Sequence, residues 1–207
     1  MTRQISLDAR NFTAVHTAIE NRTLESQTVL RVVKKDKINL YDQNTYAKIN
    51  GLLFHNGTIE VKMKSRLLPD APDFARGFIG LVFRANETDS EFESFYLRPA
   101  NGRDCEDPVR KSHGCQYFSY PGYTFDYFRE FGITDYEAPV SVALDEWITL
   151  KAVIEDQRAA FYLNWEEKPV LEVQEMKHGS GKHGAVGIFV DIGTEALISE
   201  IKVTCAD

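Results

Sequence analysis

The residues best suited to chemistry lie between Arg84 and Phe131. Eleven of the chain's 24 aromatic residues fall between Phe92 and Phe131, interleaved with Arg98, Arg103, Arg110, His113 and Gln116. A hydrophobic core needs aromatic rings but has no use for so many arginines beside them. A ligand surface uses both, because rings supply rigid contact area and guanidinium forks orient oxygen atoms. Arg84, Tyr96 and Arg98 sit at alternate positions of two strand-like runs, on the faces opposite the apolar residues. They read as a polar floor beneath a ligand; the competing reading is an outer sheet face with ion pairs of little individual worth. Asn101, Arg103, Asp107, Arg110 and His113 occupy a long polar loop from Pro99 to Gly114, of a length that is usually functional or mobile. Gln116, Tyr120 and Tyr123 add an amide and stacking rings, while alternate members such as Tyr117 go to the core. Phe189 and Asp191 alternate away from Val186, Ile188 and Val190 and give a second route to the same face. His113 is the only histidine of the stretch and could act as a general base near neutral pH, with Asp107 or Asp104 as its partner. A lone histidine is more often only a hydrogen-bonding residue, and no Ser-His-Asp or Cys-His arrangement can be argued from spacing.

The elements that must position these residues read as strands. Residues 3–7 and 12–19 alternate weakly. Ser26 to Lys34 is rich in β-branched residues, and Lys35 to Tyr46 is polar and turn-like. In TIEVKMKSRL, Ile59, Val61 and Met63 point one way while Glu60, Lys62 and Lys64 point the other, the period of a half-buried strand. Gly77 to Arg84 and Glu91 to Arg98 continue the pattern, followed by Gln116 to Tyr120. Two mid-strand glycines predict a close backbone approach or a bulge. Tyr123 to Glu130 has room for one helical turn. Trp147 to Glu155, Ala159 to Asn164 and Val170 to Val173 form a meander. Gly184 to Asp191 and Glu195 to Val203 are expected to form a last hairpin through Ile192, Gly193 and Thr194. About a dozen strands with no long helix predict an all-β fold, a two-sheet antiparallel β-sandwich, over a single domain of residues 1–207.

The totals exclude several classes. A net charge of −7 without a basic stripe argues against nucleic acid. No apolar run approaches the roughly 18 residues of a membrane helix. The N-terminal MTRQISLDAR lacks an apolar signal core, so the chain reads as cytoplasmic as it stands, or secreted if a leader has been removed. Three cysteines suit a reducing compartment, and a Cys105–Cys115 bridge is the less favoured state. Their spacing fits no zinc motif, and no metal site or cofactor is expected.

The runs FHNGTIEVKMKSRL, GFIGLVFRA, FESFYLRPANGR, DPVRKSHGCQYFSYPGYTF, EWITLKAVIEDQRAAFYLN and GAVGIFVDIGTEALISEIKV follow one another in order. Together they resemble the concanavalin A-like lectin/glucanase jelly rolls over about residues 26–203. FYLRPxNGR followed by DPVRxxHxxQYxSxP is similar to the branch labelled DUF1080 or 3-keto-disaccharide hydrolase, which includes laminin-G-like proteins. The resemblance implies a carbohydrate ligand in a groove built by residues 84–123, bound by a lectin-like module or processed by a glycoside or keto-sugar hydrolase. In the hydrolase case His113 or a loop carboxylate would be the acid/base. The loop arginines either pair with loop carboxylates to rigidify it, or hold sugar hydroxyls or an acidic sugar; both readings stay open. Glu87, Asp89 and Glu91 have the ExDxE spacing of retaining glucanases in the superfamily, but their Asn, Thr and Ser neighbours read as a solvated hairpin tip. Calcium is implied by the superfamily alone; Asp104, Glu106 and Asp107 are the nearest approach to a ligand set, and Arg103 and Arg110 interrupt them. The alternative function is a non-catalytic protein-interaction domain, a homo-oligomer through its sheet face, because aromatic and arginine enrichment also marks protein interfaces.

Overall fold

A computed structural model describes residues 1–35 and 40–206. Of the stretch expected to turn from Lys35 to Tyr46, residues 36–39 lie outside the described residues. Among the described residues there are fifteen strands: β1 (Thr2–Gln4), β2 (Phe12–Val15), β3 (Thr17–Leu24), β4 (Gln27–Lys34), β5 (Tyr46–Ile49), β6 (Gly57–Leu67), β7 (Ile79–Ala85), β8 (Phe92–Leu97), β9 (Cys115–Tyr120), β10 (Glu137–Ala138), β11 (Trp147–Glu155), β12 (Arg158–Leu163), β13 (Leu171–Val173), β14 (Ala185–Val190) and β15 (Thr194–Cys205). Two short helices, α1 (Pro108–Lys111) and α2 (Phe125–Glu130), lie on either side of β9 in the chain.

All pairings are antiparallel and form two sheets. The back sheet runs β13-β12-β11-β6-β15-β4-β3, with β1 added along β15. The front sheet runs β10-β9-β8-β7-β14-β5-β2. Their inner faces meet along the alternating apolar residues. Ile59, Val61 and Met63 of β6 and Ile148, Leu150 and Ala152 of β11 face Leu81, Phe83, Phe95, Ile188 and Val190 in one cluster. Phe95 of the front sheet stacks on Phe161 of the back sheet, with ring centroids 4.0 Å apart. Burial of this apolar area is the main favourable term holding the sheets together.

Two sequence expectations change. β14 and β15 are not a hairpin: β14 lies between β7 and β5 in the front sheet, and β15 lies between β6 and β4 in the back sheet. The short link is a corner between sheets, in which Gly193 takes φ +67 against Ala71 and Ala75. Both strands direct apolar residues into one core, which a hairpin and a corner satisfy equally at the level of pattern. The Pro99–Gly114 loop is not structureless either. It holds a 3-10 turn over Pro99–Asn101 and then α1, whose first turn is capped by Asp107 accepting from the Val109 and Arg110 amides. The Glu87–Glu91 segment is a hairpin tip, closed by the Asn86 amide to Glu91 O at 3.0 Å, with Asp89 at φ 56. Asp89 accepts from Lys48 Nζ at 2.7 Å and the Tyr46 hydroxyl at 2.5 Å.

Candidate functional site

The outer face of the front sheet is itself a core. Tyr46, Val82, Phe92, Tyr96, Phe118 and Phe189 form a second buried cluster, closed from outside by Phe78 and by Phe128 of α2. Tyr96 stacks on Phe189 at 5.3 Å, and Phe92 stacks on Tyr120 at 5.1 Å. Gly80 lies opposite Tyr96, where a Cβ would meet the Phe95 carbonyl and the Tyr96 backbone. Much of the aromatic excess of the sequence therefore builds a second hydrophobic layer.

Where this layer ends, a cavity of about 300 Å3 opens. Tyr96 and Arg98 come from the end of β8, Asn101 from the 3-10 turn, Val109 and Arg110 from α1, and His113 from the link to β9. Phe125 and Arg129, one turn apart on α2, form the facing wall. Tyr41, Phe74, Arg76 and Phe78 complete the lining. Phe125 lies between two guanidinium groups, with Arg129 Cζ 4.9 Å and Arg98 Cζ 5.5 Å from its ring centre, a cation–π arrangement.

A buried charge network underlies this wall. Glu137 of β10 receives Arg98 Nη1 at 3.0 Å and Arg129 Nη2 at 3.2 Å, and His113 Nδ1 lies 2.9 Å from its second oxygen. Arg98 also donates to the Tyr96 hydroxyl at 2.9 Å and to Gln116 Oε1. Burial pulls the Arg98 pKa down, but Tyr96, Glu137 and Asp42 outweigh it and hold the group above its ordinary value. Burial raises the Tyr96 phenol well above its usual range. Asp42, fully buried, accepts from the Phe125 amide at 2.6 Å and so ties α2 to the segment that leads into β5. Burial pushes its carboxyl up to about 7; the neighbouring Asp191 adds to the rise, and the Phe125 amide and Arg98 oppose it. Burial also raises Asp191, against the opposing charge of Lys34. Asp191 pairs with Lys34 at 2.8 Å and accepts from the Asp42 and Ile192 amides.

Of the positions singled out from sequence, Tyr96, Arg98, Asn101, Arg110 and His113 come together on the cavity wall. The others are placed elsewhere. Arg84 does not share a floor with Tyr96 and Arg98. A bulge sets Phe83 and Arg84 opposite Val186 alone, and Arg84 takes φ 55. Its guanidinium instead donates to His55 O at 2.9 Å, Asn56 Oδ1 at 2.9 Å, Asp156 O at 2.7 Å and Gly179 O at 3.2 Å, clamping turns at one end of the sandwich. Gln116 and Phe189 lie fully buried behind the wall. Tyr120 caps Phe92, and Tyr123 packs edge-on against Tyr127. Asp191 is the buried partner of Lys34. Arg103 points outward to Glu146 at 2.7 Å. Asp107 caps α1 and pairs with Arg110 at 3.5 Å; the carboxylate beside His113 is Glu137. The 84–123 groove is thus narrower on its strand side than expected, and it gains Tyr41, Phe74, Arg76, Phe78, Phe125 and Arg129. Sequence reasoning missed Arg76, Phe125, Arg129, Asp42 and Glu137. Only the i, i+4 spacing of Phe125 and Arg129 signalled a shared helix face.

Burial raises the Cys115 thiol to about 12, and all three cysteines are free. Among the described residues no three His, Cys, Asp or Glu side chains gather in a way that could hold a metal ion, and no helix is long and apolar enough to cross a membrane.

No known protein family and no curated protein matches the chain by sequence. Its fold is nevertheless found in solved structures. The carbohydrate-binding module CBM66 from Bacillus subtilis superposes with a TM-score of 0.62 at 14% identity, over 94% of this chain and 96% of that one. A Bacillus subtilis protein with a galectin-like fold gives 0.57 at 10% identity, over 98% and 97%. A glycosidic hydrolase gives 0.55 at 10% identity, over 100% and 96%. Two antiparallel sheets packed face to face, with this strand order and these structural neighbours, give the chain a jelly-roll β-sandwich fold.

Proposed function

We propose that this protein binds a carbohydrate in the cavity between β8, α1 and α2. The observation that carries the reading is the lining itself. The aromatic rings of Phe74, Tyr96 and Phe125 stand beside four guanidinium groups and Asn101, whose buried Oδ1 has no hydrogen-bond partner. A sugar presents apolar C–H faces and a dense set of hydroxyls, and both find counterparts here. At about 300 Å3 the cavity lies at the small end of ligand pockets.

Binding is favoured over hydrolysis. Glycoside hydrolysis ordinarily uses two carboxyl groups flanking the bond, and no Asp or Glu is among the lining residues described. His113 Nδ1 lies 2.9 Å from Glu137 but without hydrogen-bond geometry, and Glu137 is already shared with two arginines.

The test is a thermal-shift screen of mono- and oligosaccharides, followed by titration of any hit against Phe125→Ala and Arg110→Ala. A ligand at about 100 times its Kd adds roughly 2.7 kcal/mol, a readily measured shift. Binding that both substitutions weaken by about tenfold or more is the expected result. Wild-type affinity in both variants would place the ligand elsewhere.

A further inference from the structure

We propose that the sugar carries a carboxylate, so that the site selects uronic acid units over neutral sugars. This rests on the carbohydrate reading and makes it more specific. The wall carries four arginines and His113 and, among the described residues, no acid. Glu137, behind it, is the one carboxylate serving Arg98, Arg129 and His113 together. Two cationic groups are left at the mouth. Arg110 has only Asp107, 3.5 Å away, in a pair with both side chains about half exposed, an arrangement worth little. Arg76 donates only to backbone oxygens, Asp73 O at 2.6 Å and Ala75 O at 2.7 Å, and among the described residues it pairs with no carboxylate. Burial, and next the charge of Arg110, hold its pKa below the ordinary value. Arg76 and Arg110 line the same cavity and therefore repel each other, a repulsion that Asp73 and Asp107 only partly offset.

An anion placed between them removes that repulsion. A carboxylate also matches the two-pronged donor geometry of a guanidinium, which a neutral hydroxyl does not. Asn101, whose buried Oδ1 has no partner, lies on the same wall, where turning its amide toward the cavity brings that oxygen to a ring hydroxyl. One ligand offering both an oxyanion and hydroxyls on a compact ring is a sugar acid.

The full chain would be titrated calorimetrically with galacturonate, glucuronate and mannuronate and their short oligomers. The comparison set is the corresponding methyl esters, the neutral sugars and glucose 6-phosphate. At least one acid is expected to bind about tenfold or more tightly than its ester. That preference is expected to shrink several-fold between about 50 mM and about 500 mM NaCl. Arg76→Ala and Arg110→Ala should each erase most of the preference without lowering Tm, since neither side chain is part of the buried network. Esters or neutral sugars binding as well as the acids would overturn the carboxylate assignment and leave the carbohydrate reading standing. Tighter binding of glucose 6-phosphate than of every uronate would overturn it in favour of a phosphate. Binding of no sugar at all would remove both readings.

Discussion

Asp42 offers a direct test of the buried network. It is fully buried, and its carboxyl is raised by burial from 3.8 to about 7. Between about pH 4 and about pH 7 the folded protein keeps a proton that the unfolded chain releases. Stability therefore falls as pH rises through that window and is flat above it, as far as this group is concerned. The window spans about three pH units, each worth about 1.4 kcal/mol, so the contribution lost is on the order of 4 kcal/mol. Asp42→Asn removes the charge but keeps an acceptor oxygen for the Phe125 amide, which the wild-type side chain meets at 2.6 Å. Urea unfolding at a series of pH values measures the difference between the two proteins and cancels the titrating groups that do not interact with Asp42. That difference should move in favour of Asp42→Asn by several kcal/mol as pH is raised from about 4 to about 7.5. A constant difference over the range, or one that moves against the variant, would mean that the carboxyl is solvated or fully paired.

Other perturbations separate structural from ligand-facing roles. Arg84→Ala removes four hydrogen bonds that clamp the turns around His55, Asp156 and Gly179. It should cost about 3 kcal/mol in chemical denaturation and leave the affinity for any ligand of the cavity within about twofold at temperatures where the variant is folded. Thiol labelling of the native protein should modify Cys105 and Cys205, which are partly exposed, and spare Cys115, which is buried and held to about 12. Equal labelling of all three by mass spectrometry would contradict the packing of β9 against the core.

The fold class was legible because period-two burial survives in a single sequence. Ile59, Val61 and Met63, or Ile79, Leu81 and Phe83, must share a face wherever their strand lies. Pairing was legible only where connections are local, as in the β11-β12-β13 meander. The link from β14 to β15 looked like a hairpin because strand periodicity reports which residues are buried and not which sheet buries them. Half of the candidate site was legible for a similar reason. Tyr96, Arg98, Asn101, Arg110 and His113 lie close together in the chain, on one strand end and the loop after it. Arg76, Phe125 and Arg129 reach the cavity from two other segments, and Glu137 supports its wall from a third. Arg84 was lost to the bulge at Phe83, a one-residue insertion that turns a side chain to another face and leaves no mark in composition.

The sequence by itself determined that this chain makes a two-sheet β-sandwich and that its arginine- and aromatic-rich middle is its chemically dense part. Residue type and alternation are local properties, and they hold whatever the topology. Only the tertiary structure decided that the aromatics divide between a second core and a cavity wall. Only it decided that one buried Glu137 serves Arg98, Arg129 and His113, and that Arg76 and Arg110 line one cavity with no acid among its described lining residues. Those are facts of distance between segments far apart in the chain, and electrostatic and hydrogen-bond energies depend on that distance.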